Sequence, residues 1–273
     1  MKRLLTIQDV SCVGQCSTTV ALPLVSACGI ECAVLPSAVL SNHTGFARWS
    51  FADLTAEMPV IESEWRAQGL TFDAFYTGYV CASQIDPILS VFEHCAAPGA
   101  LRIVDPAMAD NGRLYAGFGA DFPSQMARLC RGADYLLPNL TEAALLTGQT
   151  PKLTHLTERE VTELVARLHD LGAAKVVLTG VSFEPHQLGC AISDGSHIVY
   201  DFNPRLKRMS HGTGDVFASV FAGAILRGRS ACEAAALAAD VVCVALDATE
   251  PEHTYGVRFE RAIPFLVRSL GEA

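Results

Sequence analysis

Long apolar runs are missing from this 273-residue sequence. Near the N-terminus the apolar stretch extends only from Leu4 to Ile7, which is too short for the core of a signal peptide. The apolar stretch after Ser230 is interrupted by acidic side chains, and these exclude a membrane-spanning helix: Glu233, Asp240 and Asp247. We therefore expect a soluble, cytoplasmic protein with no membrane partner.

The sequence also lacks a basic block. Its 20 Lys and Arg residues are scattered among 29 Asp and Glu residues, and the formal net charge is −9. A protein that binds nucleic acid concentrates positive charge on one surface, where it contacts phosphates. We expect no nucleic-acid partner.

Cysteine spacings typical of zinc sites or redox pairs are absent, although the chain has ten cysteines. Cys12 and Cys16 are separated by three residues, as are Cys28 and Cys32, and neither pair has a histidine partner nearby. Other cysteines stand inside apolar runs, a setting typical of buried free thiols: Cys81, Cys95, Cys190 and Cys243. We predict no structural metal.

Apolar residues make up half of the chain, enough to bury a large core. Short apolar runs alternate with helical patterns, as in a buried parallel sheet. The predicted strands are Arg3–Ile7, Cys32–Ser37, Phe72–Tyr79, Leu101–Val104, Tyr135–Leu137 and Lys175–Thr179. No internal repeat or linker divides the chain. The sequence predicts one α/β domain over residues 1–273, a doubly wound sheet with helices on both faces.

Turn and capping residues mark further elements. The turn sequence Asp194-Gly195-Ser196 separates two strand runs, Leu188–Ser193 and His197–Phe202, and predicts an antiparallel pair near one edge of the sheet.

Helix signals are clearest in the second half of the chain. Thr157 and Glu160 form a capping box that begins one helix, and Gly172 ends it. In the C-terminal third, one apolar helix begins near Gly214 and another at Ser230.

The strongest candidate site is His211-Gly212-Thr213-Gly214-Asp215, directly before an apolar helix. Backbone N–H groups at a glycine-rich helix N-terminus converge on an anion, and a Cβ at either glycine would block phosphate or strain the backbone. Asp215 would repel that phosphate unless it takes a proton from an attacking hydroxyl. The spacing fits equally an ordinary turn with an acidic residue that stabilises the helix dipole.

Polar residues also follow two predicted strands. Asn139 and Glu142 can face the same side of a first helical turn and suit Mg²⁺ as oxygen ligands. An N-cap at Asn139 with Glu142 at the third helical position explains the same pattern and is favoured on these residues alone. Asp105 can organise Mg²⁺ or nucleotide phosphates, or only terminate its strand.

The polar loop Ser41–Phe46 offers several hydrogen-bonding groups and one aromatic ring. Such a set suits a small polar heteroaromatic ligand. Taken alone, it is a polar loop.

Together these segments resemble the ribokinase-like superfamily of small-molecule kinases, most closely its pyridoxal kinase family. The resemblance is carried, in the family's order, by Ser41-Asn42-His43-Thr44-Gly45, Asp105-Pro106-Ala107-Met108 with Asp110-Asn111-Gly112, Pro138-Asn139-Leu140-Thr141-Glu142, and Gly212-Thr213-Gly214-Asp215. It implies a three-layer α/β/α sandwich with a mainly parallel central sheet and an antiparallel edge hairpin. It also implies ATP-dependent phosphorylation of the 5′-hydroxymethyl group of pyridoxal, pyridoxine or pyridoxamine by a homodimer, and leaves open a monovalent cation requirement.

The resemblance also implies roles for individual residues. Asp215 is the expected catalytic base, and the N–H groups of Gly212, Thr213 and Gly214 form the anion hole. Asn139 and Glu142 organise Mg²⁺, mainly through water. The expected substrate-binding residues are Asp9, Ser11, Ser41, His43, Thr44 and Tyr79. The expected nucleotide-binding residues are Asp105, Asn139, Glu142, Thr179 and Lys207.

The sequence departs from the family in two places. The loop Gln8–Gly14 is shorter than the corresponding loop of better-known pyridoxal kinases, which leaves open whether Asp9 or Ser11 contacts the pyridine ring. The strand ending in Thr179 lacks a lysine that some pyridoxal kinases have there, and Thr179 can replace it by hydrogen bonding. Lys207 or Arg208 can neutralise the ATP phosphates, although exposed basic residues are more often only solvated.

Two other functions fit parts of this pattern. A kinase of hydroxymethylpyrimidine or its phosphate belongs to the same superfamily, but that branch typically has His-Gly-Thr-Gly-Cys, whereas this chain has Asp215 in the last position. A non-catalytic protein that binds nucleotide or vitamer has no use for a general base beside an anion hole. Sugar kinases lack the Ser41–Gly45 motif.

Overall fold

The computed structural model describes residues 1–206 and 210–271. Nine strands of this described part form one sheet, and two short strands pair apart from it. The sheet consists of β1 (Arg3–Ser11), β2 (Glu31–Leu40), β3 (Phe51–Asp53), β4 (Phe72–Thr77), β5 (Ala96–Val104), β8 (Tyr135–Leu136), β9 (Val176–Val181), β10 (Gln187–Ser193) and β11 (Ile198–Pro204). The separate pair is β6 (Ala109–Asp110) and β7 (Arg113–Leu114).

The strand order is β11-β10-β9-β8-β5-β4-β1-β2-β3. Neighbours from β9 to β2 in this order are parallel. The antiparallel pair β10 and β11 at one edge confirms the predicted hairpin. At the other edge β3 pairs antiparallel with β2 and was not predicted, because its three residues are all exposed and carry no apolar alternation.

Helices cover both faces of the sheet. One face packs against α2 (Met58–Ala67), α3 (Ile85–His94), α4 (Phe122–Cys130), α5 (Leu140–Leu146) and α6 (Glu158–Asp170). The other face packs against α1 (Thr18–Ala27), α7 (Thr213–Leu226), α8 (Ala231–Asp247) and α9 (Ile263–Leu270). The two buried cores confirm the three-layer α/β/α sandwich. No helix within the described ranges is both long and apolar enough to cross a membrane.

The predicted helix boundaries are confirmed. The Glu160 N–H donates to Thr157 Oγ1 over 3.3 Å, while Glu160 Oε2 accepts from the Thr157 N–H over 2.8 Å. Gly172 follows the end of α6 with a φ of 114°, a left-handed conformation that suits glycine. Ser230 caps α8 in the same way, and Gly212 stands at the N-cap of α7.

Strand ends differ from the predicted ones where they bear on the site. β1 was expected to end at Ile7 but continues to Ser11, which pairs with Leu40 after a register shift. Asp9 and Ser11 therefore belong to the strand. β4 ends at Thr77, so Tyr79 lies just beyond it.

The ten cysteines are all free thiols in the described chain, and Cys95 and Cys190 are buried as predicted. The prediction of burial is wrong for Cys81 and Cys243, which are half-buried. Cys81 precedes a short 3-10 turn that lines a cavity, and Cys243 lies on the partly exposed side of α8.

Candidate active site

Four acidic residues meet near the carboxyl ends of the central strands. Asp9 lies near the end of β1, and Asp105 directly follows β5. Glu142 and Asp215 lie in the first turns of α5 and α7. Charge repulsion connects Asp105 with Glu142 and Asp215, and Asp215 with Asp9. The fold thus concentrates negative charge at the edge where parallel α/β sheets bind ligands.

Asp215 has the properties of a base that works near neutral pH. Burial of its carboxyl raises its pKa to about 7, and repulsion by Asp9 acts in the same direction. A hydrogen bond from the backbone N–H of Ser17 opposes part of this increase. A general base is most effective when its pKa lies close to the working pH.

Asp105 and Glu142 form a buried acidic pair. Burial raises the pKa of Glu142 to about 8, and burial together with Glu142 raises that of Asp105. None of the ion pairs within the described residues involves either side chain. Because no ion pair of the described residues compensates this buried pair, its ionised form is destabilised, and its oxygen donors fit a divalent cation such as Mg²⁺.

The cap interpretation of Asn139 and Glu142 is confirmed. Asn139 Oδ1 accepts from the N–H groups of Thr141 and Glu142 over 2.8 and 3.0 Å, and Glu142 Oε2 accepts from the Asn139 N–H over 2.9 Å. Glu142 Oε1 also accepts from the Met108 N–H over 3.1 Å, which connects α5 to the loop after Asp105. Backbone N–H groups therefore occupy both carboxylate oxygens of Glu142.

The N-terminus of α7 has the predicted form at one glycine but not at the other. Gly212 has a φ of 83°, and a Cβ there would lie 1.8 Å from the carbonyl oxygen of Gln15. The strain argument is wrong for Gly214, because its φ is not left-handed and an added Cβ would meet nothing within 4 Å. The first N–H groups of α7 have no acceptor within the helix and leave its positive end open to an anion.

A cavity of about 510 Å³ lies near Asp9, whose charge contributes to the raised pKa of Tyr79 in the cavity lining. It brings together Thr44 and Tyr79, two of the predicted substrate-binding residues. Its aromatic wall continues from Tyr79 to Phe118 and Phe122, with ring centroids 5.2 and 3.9 Å apart. The remaining lining residues are Trp49, Phe51, Cys81, Ala82, Ser83, Ala116, Gly117, Gly119 and Asp121. Sequence patterns missed Phe118, which belongs to an irregular loop without periodicity.

Other predicted substrate residues do not line this cavity. Ser41 is exposed, and its Oγ donates to Asn42 Oδ1 over 2.8 Å and accepts from the Ser50 N–H over 3.0 Å. His43 is buried with both ring nitrogens on backbone groups. Ser11 donates to Asp9 Oδ2 over 2.8 Å, deep at the end of β1.

The predicted nucleotide residues are adjacent where the structure describes them. Thr179 forms an isolated bridge with Asn139, and its Oγ1 donates to the Pro138 carbonyl over 3.4 Å. Lys207 and Arg208, expected near the ATP phosphates, lie outside the described residues.

Comparisons of the sequence reveal its relatives. The profile of the phosphomethylpyrimidine kinase family matches residues 29–257. The pyridoxal kinase of Dictyostelium discoideum is 24% identical over 249 residues, which cover 82% of this chain and 78% of the relative. Pyridoxal kinase PdxY of Corynebacterium diphtheriae is 28% identical over 262 residues, which cover 90% and 89%.

Solved structures share the whole fold. A Bacteroides thetaiotaomicron protein, provisionally described as a phosphomethylpyrimidine kinase and crystallised in a form with pyridoxal, has 34% identity and a TM-score of 0.91, covering 97% of this chain and 95% of that one. Pyridoxal kinase from Lactobacillus plantarum has 32% identity and a TM-score of 0.90, covering 98% of both chains. These matches show that the chain belongs to the phosphomethylpyrimidine kinase and pyridoxal kinase family of ribokinase-like enzymes.

Proposed function

We propose that this chain is an ATP-dependent kinase of the 5′-hydroxymethyl group of pyridoxal, pyridoxine or pyridoxamine. The observation that carries the proposal is the buried carboxyl of Asp215, whose pKa is raised to about 7 and which lies in the first turn of α7, directly after the glycine-rich N-terminus of that helix. Transfer of a phosphoryl group to a hydroxyl needs a base and charge stabilisation at one place. The pyridoxal kinases among the relatives support the substrate class.

In the proposed reaction, the Asp215 carboxylate accepts the proton of the substrate hydroxymethyl group. The freed oxygen forms a bond to the terminal phosphorus of ATP, while the bond from that phosphorus to the oxygen of the leaving ADP breaks. The N–H groups of Gly212, Thr213 and Gly214 stabilise the negative charge on the transferred group. The backbone N–H of Ser17 holds the Asp215 carboxyl by a hydrogen bond, and the charge of Asp9 keeps its pKa high.

Asp105 and Glu142 are the residues that would hold Mg²⁺, mainly through water. When bound, the ion neutralises phosphate charge during the transfer. Asn139 and Thr179 position the backbone on the nucleotide side of the site, since the bridge between them joins the start of α5 to β9. A requirement for a monovalent cation is measured by exchanging potassium for tetramethylammonium in the assay.

The cavity beside Asp9 suits a flat heteroaromatic ring. Tyr79 and Phe118 provide stacked walls, and Thr44 provides a hydroxyl.

The proposal includes a single kinase domain over residues 1–273 that acts as a homodimer in the cytoplasm, without nucleic acid or membrane partners. Sedimentation velocity tests the dimer.

A substrate panel tests this function. ADP release is measured with pyridoxal, pyridoxine, pyridoxamine, hydroxymethylpyrimidine and hydroxymethylpyrimidine phosphate. The proposal expects the highest kcat/KM with one of the three vitamers. A clear preference for a pyrimidine would instead assign the chain as a kinase of hydroxymethylpyrimidine or its phosphate. Binding of vitamer and nucleotide without any ADP release would make it a non-catalytic binding protein.

A further inference from the structure

One short loop contacts both halves of the proposed catalytic machinery. We call Cys12–Ser17 the first loop. The backbone N–H of Ser17 bonds to the Asp215 carboxyl, and the Ser17 hydroxyl bonds to Asp9. The Gln15 carbonyl packs so closely on Gly212 that a Cβ there would lie 1.8 Å from it. The position of this loop therefore fixes the base and the anion hole together.

The first loop is strained where it meets the base. Ser17 has a φ of 51°, in the left-handed region that is unfavourable for a residue with a Cβ. Such a conformation persists only when surrounding contacts hold it. The contacts that hold the first loop are therefore part of the site.

His43 supplies several of those contacts. Its Nδ1 accepts from the Gly45 N–H over 3.0 Å, so in the neutral ring the proton is on Nε2, which lies 3.1 Å from the Tyr255 carbonyl and donates to it. The backbone N–H of His43 donates to the Val13 carbonyl over 3.2 Å. The residue is buried, and burial lowers the pKa of the ring, consistent with the neutral form.

Two glycines enclose the His43 ring. A Cβ at Gly14 would lie 2.2 Å from His43 Cδ2, and a Cβ at Gly45 would lie 2.8 Å from His43 Cε1. The ring also packs beside Phe46 and His211, with centroids 4.8 and 5.0 Å away. It therefore has one orientation, in which neither nitrogen is available to a substrate.

The Tyr255 carbonyl joins His43 to the first loop a second time. It also accepts from the Gln15 N–H over 3.4 Å. The Gln15 side chain holds the same C-terminal segment, since its Oε1 accepts from His253 Nε2 over 2.7 Å and its Nε2 donates to the Glu260 carboxylate over 2.8 Å.

We propose that His43 is a positioning residue for phosphoryl transfer, which anchors the first loop between Gly45 and Tyr255 and so keeps Gly212 and Asp215 in register without touching the substrate. This inference rests on the proposed kinase function. It replaces the substrate contact that the sequence predicts for His43 with a contact to the backbone on both sides of the ring.

The test compares His43→Phe and His43→Gln by steady-state kinetics with pyridoxal and with pyridoxine. The phenyl ring of His43→Phe loses both ring hydrogen bonds and is slightly larger than imidazole, a change in size that the control His169→Phe shares. We expect kcat to fall about 10- to 100-fold for both vitamers, as for misplaced catalytic groups, with KM changed by less than about threefold. The amide of His43→Gln can still donate to Tyr255, so it should recover most of the lost kcat.

His169→Phe is the matched control, because His169 also uses both ring nitrogens, on the Ala173 carbonyl and Ser193 Oγ, both over 2.9 Å. It should keep normal kcat at a temperature where all three variants are folded by circular dichroism. A rise in KM that differs between the two vitamers would make His43 a substrate contact and overturn the inference. Normal kcat in His43→Phe, or equal losses in His43→Phe and His43→Gln, would also overturn it. Absence of wild-type turnover on all three vitamers, pyridoxamine included, would instead refute the proposed function, and this inference with it.

Discussion

At Asp215, burial and hydrogen bonding act on the carboxyl pKa in opposite directions. Burial, the larger effect, raises the pKa from 3.8 to about 7, and the Ser17 N–H limits the increase. Nearby, the pKa of Tyr76 is raised by complete burial and by Asp105 and Asp215. The pKa of each titratable group in the site therefore depends on its exposure to water and on the number of like charges near it.

The first prediction concerns the pH profile. Because Asp215 must be ionised to accept a proton, kcat/KM for the preferred vitamer should increase with pH and level off above its pKa of about 7. The profile is measured at saturating ATP and Mg²⁺. In Asp9→Asn, which removes the charge repulsion that raises the pKa of Asp215, the midpoint should move to lower pH. A midpoint near 4 in the wild type would contradict the raised pKa.

The second prediction separates the two glycines of the anion hole. Gly212→Ala should be strongly destabilised, because its Cβ would overlap the Gln15 carbonyl and its φ is left-handed. Gly214→Ala has room in the fold and should melt like the parent. If phosphate approaches this amide, kcat of Gly214→Ala should fall by about 10²–10³, more than ADP affinity does. A kcat within about threefold of the parent would make this position a turn only.

At the scale of elements, the N-terminus of α5 combines a helix cap with the acidic pair. Asn139 and Glu142 satisfy each other's backbone groups, and the second oxygen of Glu142 holds the segment after Asp105. One carboxylate thus stabilises a helix and holds the loop after Asp105. Substitutions at this cap are therefore tested both for stability and for the Mg²⁺ requirement of turnover.

The third prediction uses those readouts. Asn139→Ala should lower stability by about 0.5–2 kcal/mol, as expected for a lost N-cap. Glu142→Gln keeps the volume and one acceptor oxygen, and it should raise the Mg²⁺ concentration needed for half-maximal turnover. Thermal melting and a Mg²⁺ titration of kcat measure the two effects. Thr157→Ala, which removes the cap of α6 far from the site, is the matched control and should change stability alone. An unchanged Mg²⁺ requirement in Glu142→Gln would restrict Glu142 to capping.

Elements defined by local chemistry were predictable from the sequence, and elements defined by pairing were not. Thr157, Ser230 and Gly172 mark helix ends through contacts within a few residues. The extension of β1 to Ser11 depends on pairing with β2 across a register shift. The edge strand β3 has only three residues and no apolar periodicity, so nothing local marks it.

Across the whole molecule, the residues of the site come from both ends of the chain. The motifs predicted Asp105, Asn139 and Asp215 because each directly follows a strand or begins a helix. The anchoring of the first loop could not be predicted, since His43 and Tyr255 are 212 residues apart in sequence. No sequence pattern predicts that Phe118 stacks on Tyr79. Such contacts depend on the order of strands in the sheet and carry no local signature.

The fourth prediction concerns stability, pH and Mg²⁺. Burial raises the pKa values of Asp215 and Glu142 from 3.8 and 4.5 to about 7 and about 8. Their contribution to stability is therefore fully present below about pH 4 and is lost as the pH rises through 7 and 8. Because the proposed Mg²⁺ site is the ionised pair Asp105 and Glu142, Mg²⁺ should raise the melting temperature more at about pH 8.5 than at about pH 5.5.

The size of this effect follows from mass action, about 2.7 kcal/mol when Mg²⁺ is at 100 times its Kd. Potassium chloride at equal ionic strength is the control for screening. A Mg²⁺ effect that is larger at the lower pH would contradict binding at the acidic pair.

In the proposed reaction, Asp215 removes the proton from the substrate hydroxyl beside the anion hole. The most direct measurement of this step compares wild type with Asp215→Asn, recording kcat for the preferred vitamer and Kd for ADP by calorimetry. We expect kcat to fall by about 10²–10⁴ while the affinity for ADP is retained. A folded Asp215→Asn variant with near-normal kcat would contradict it.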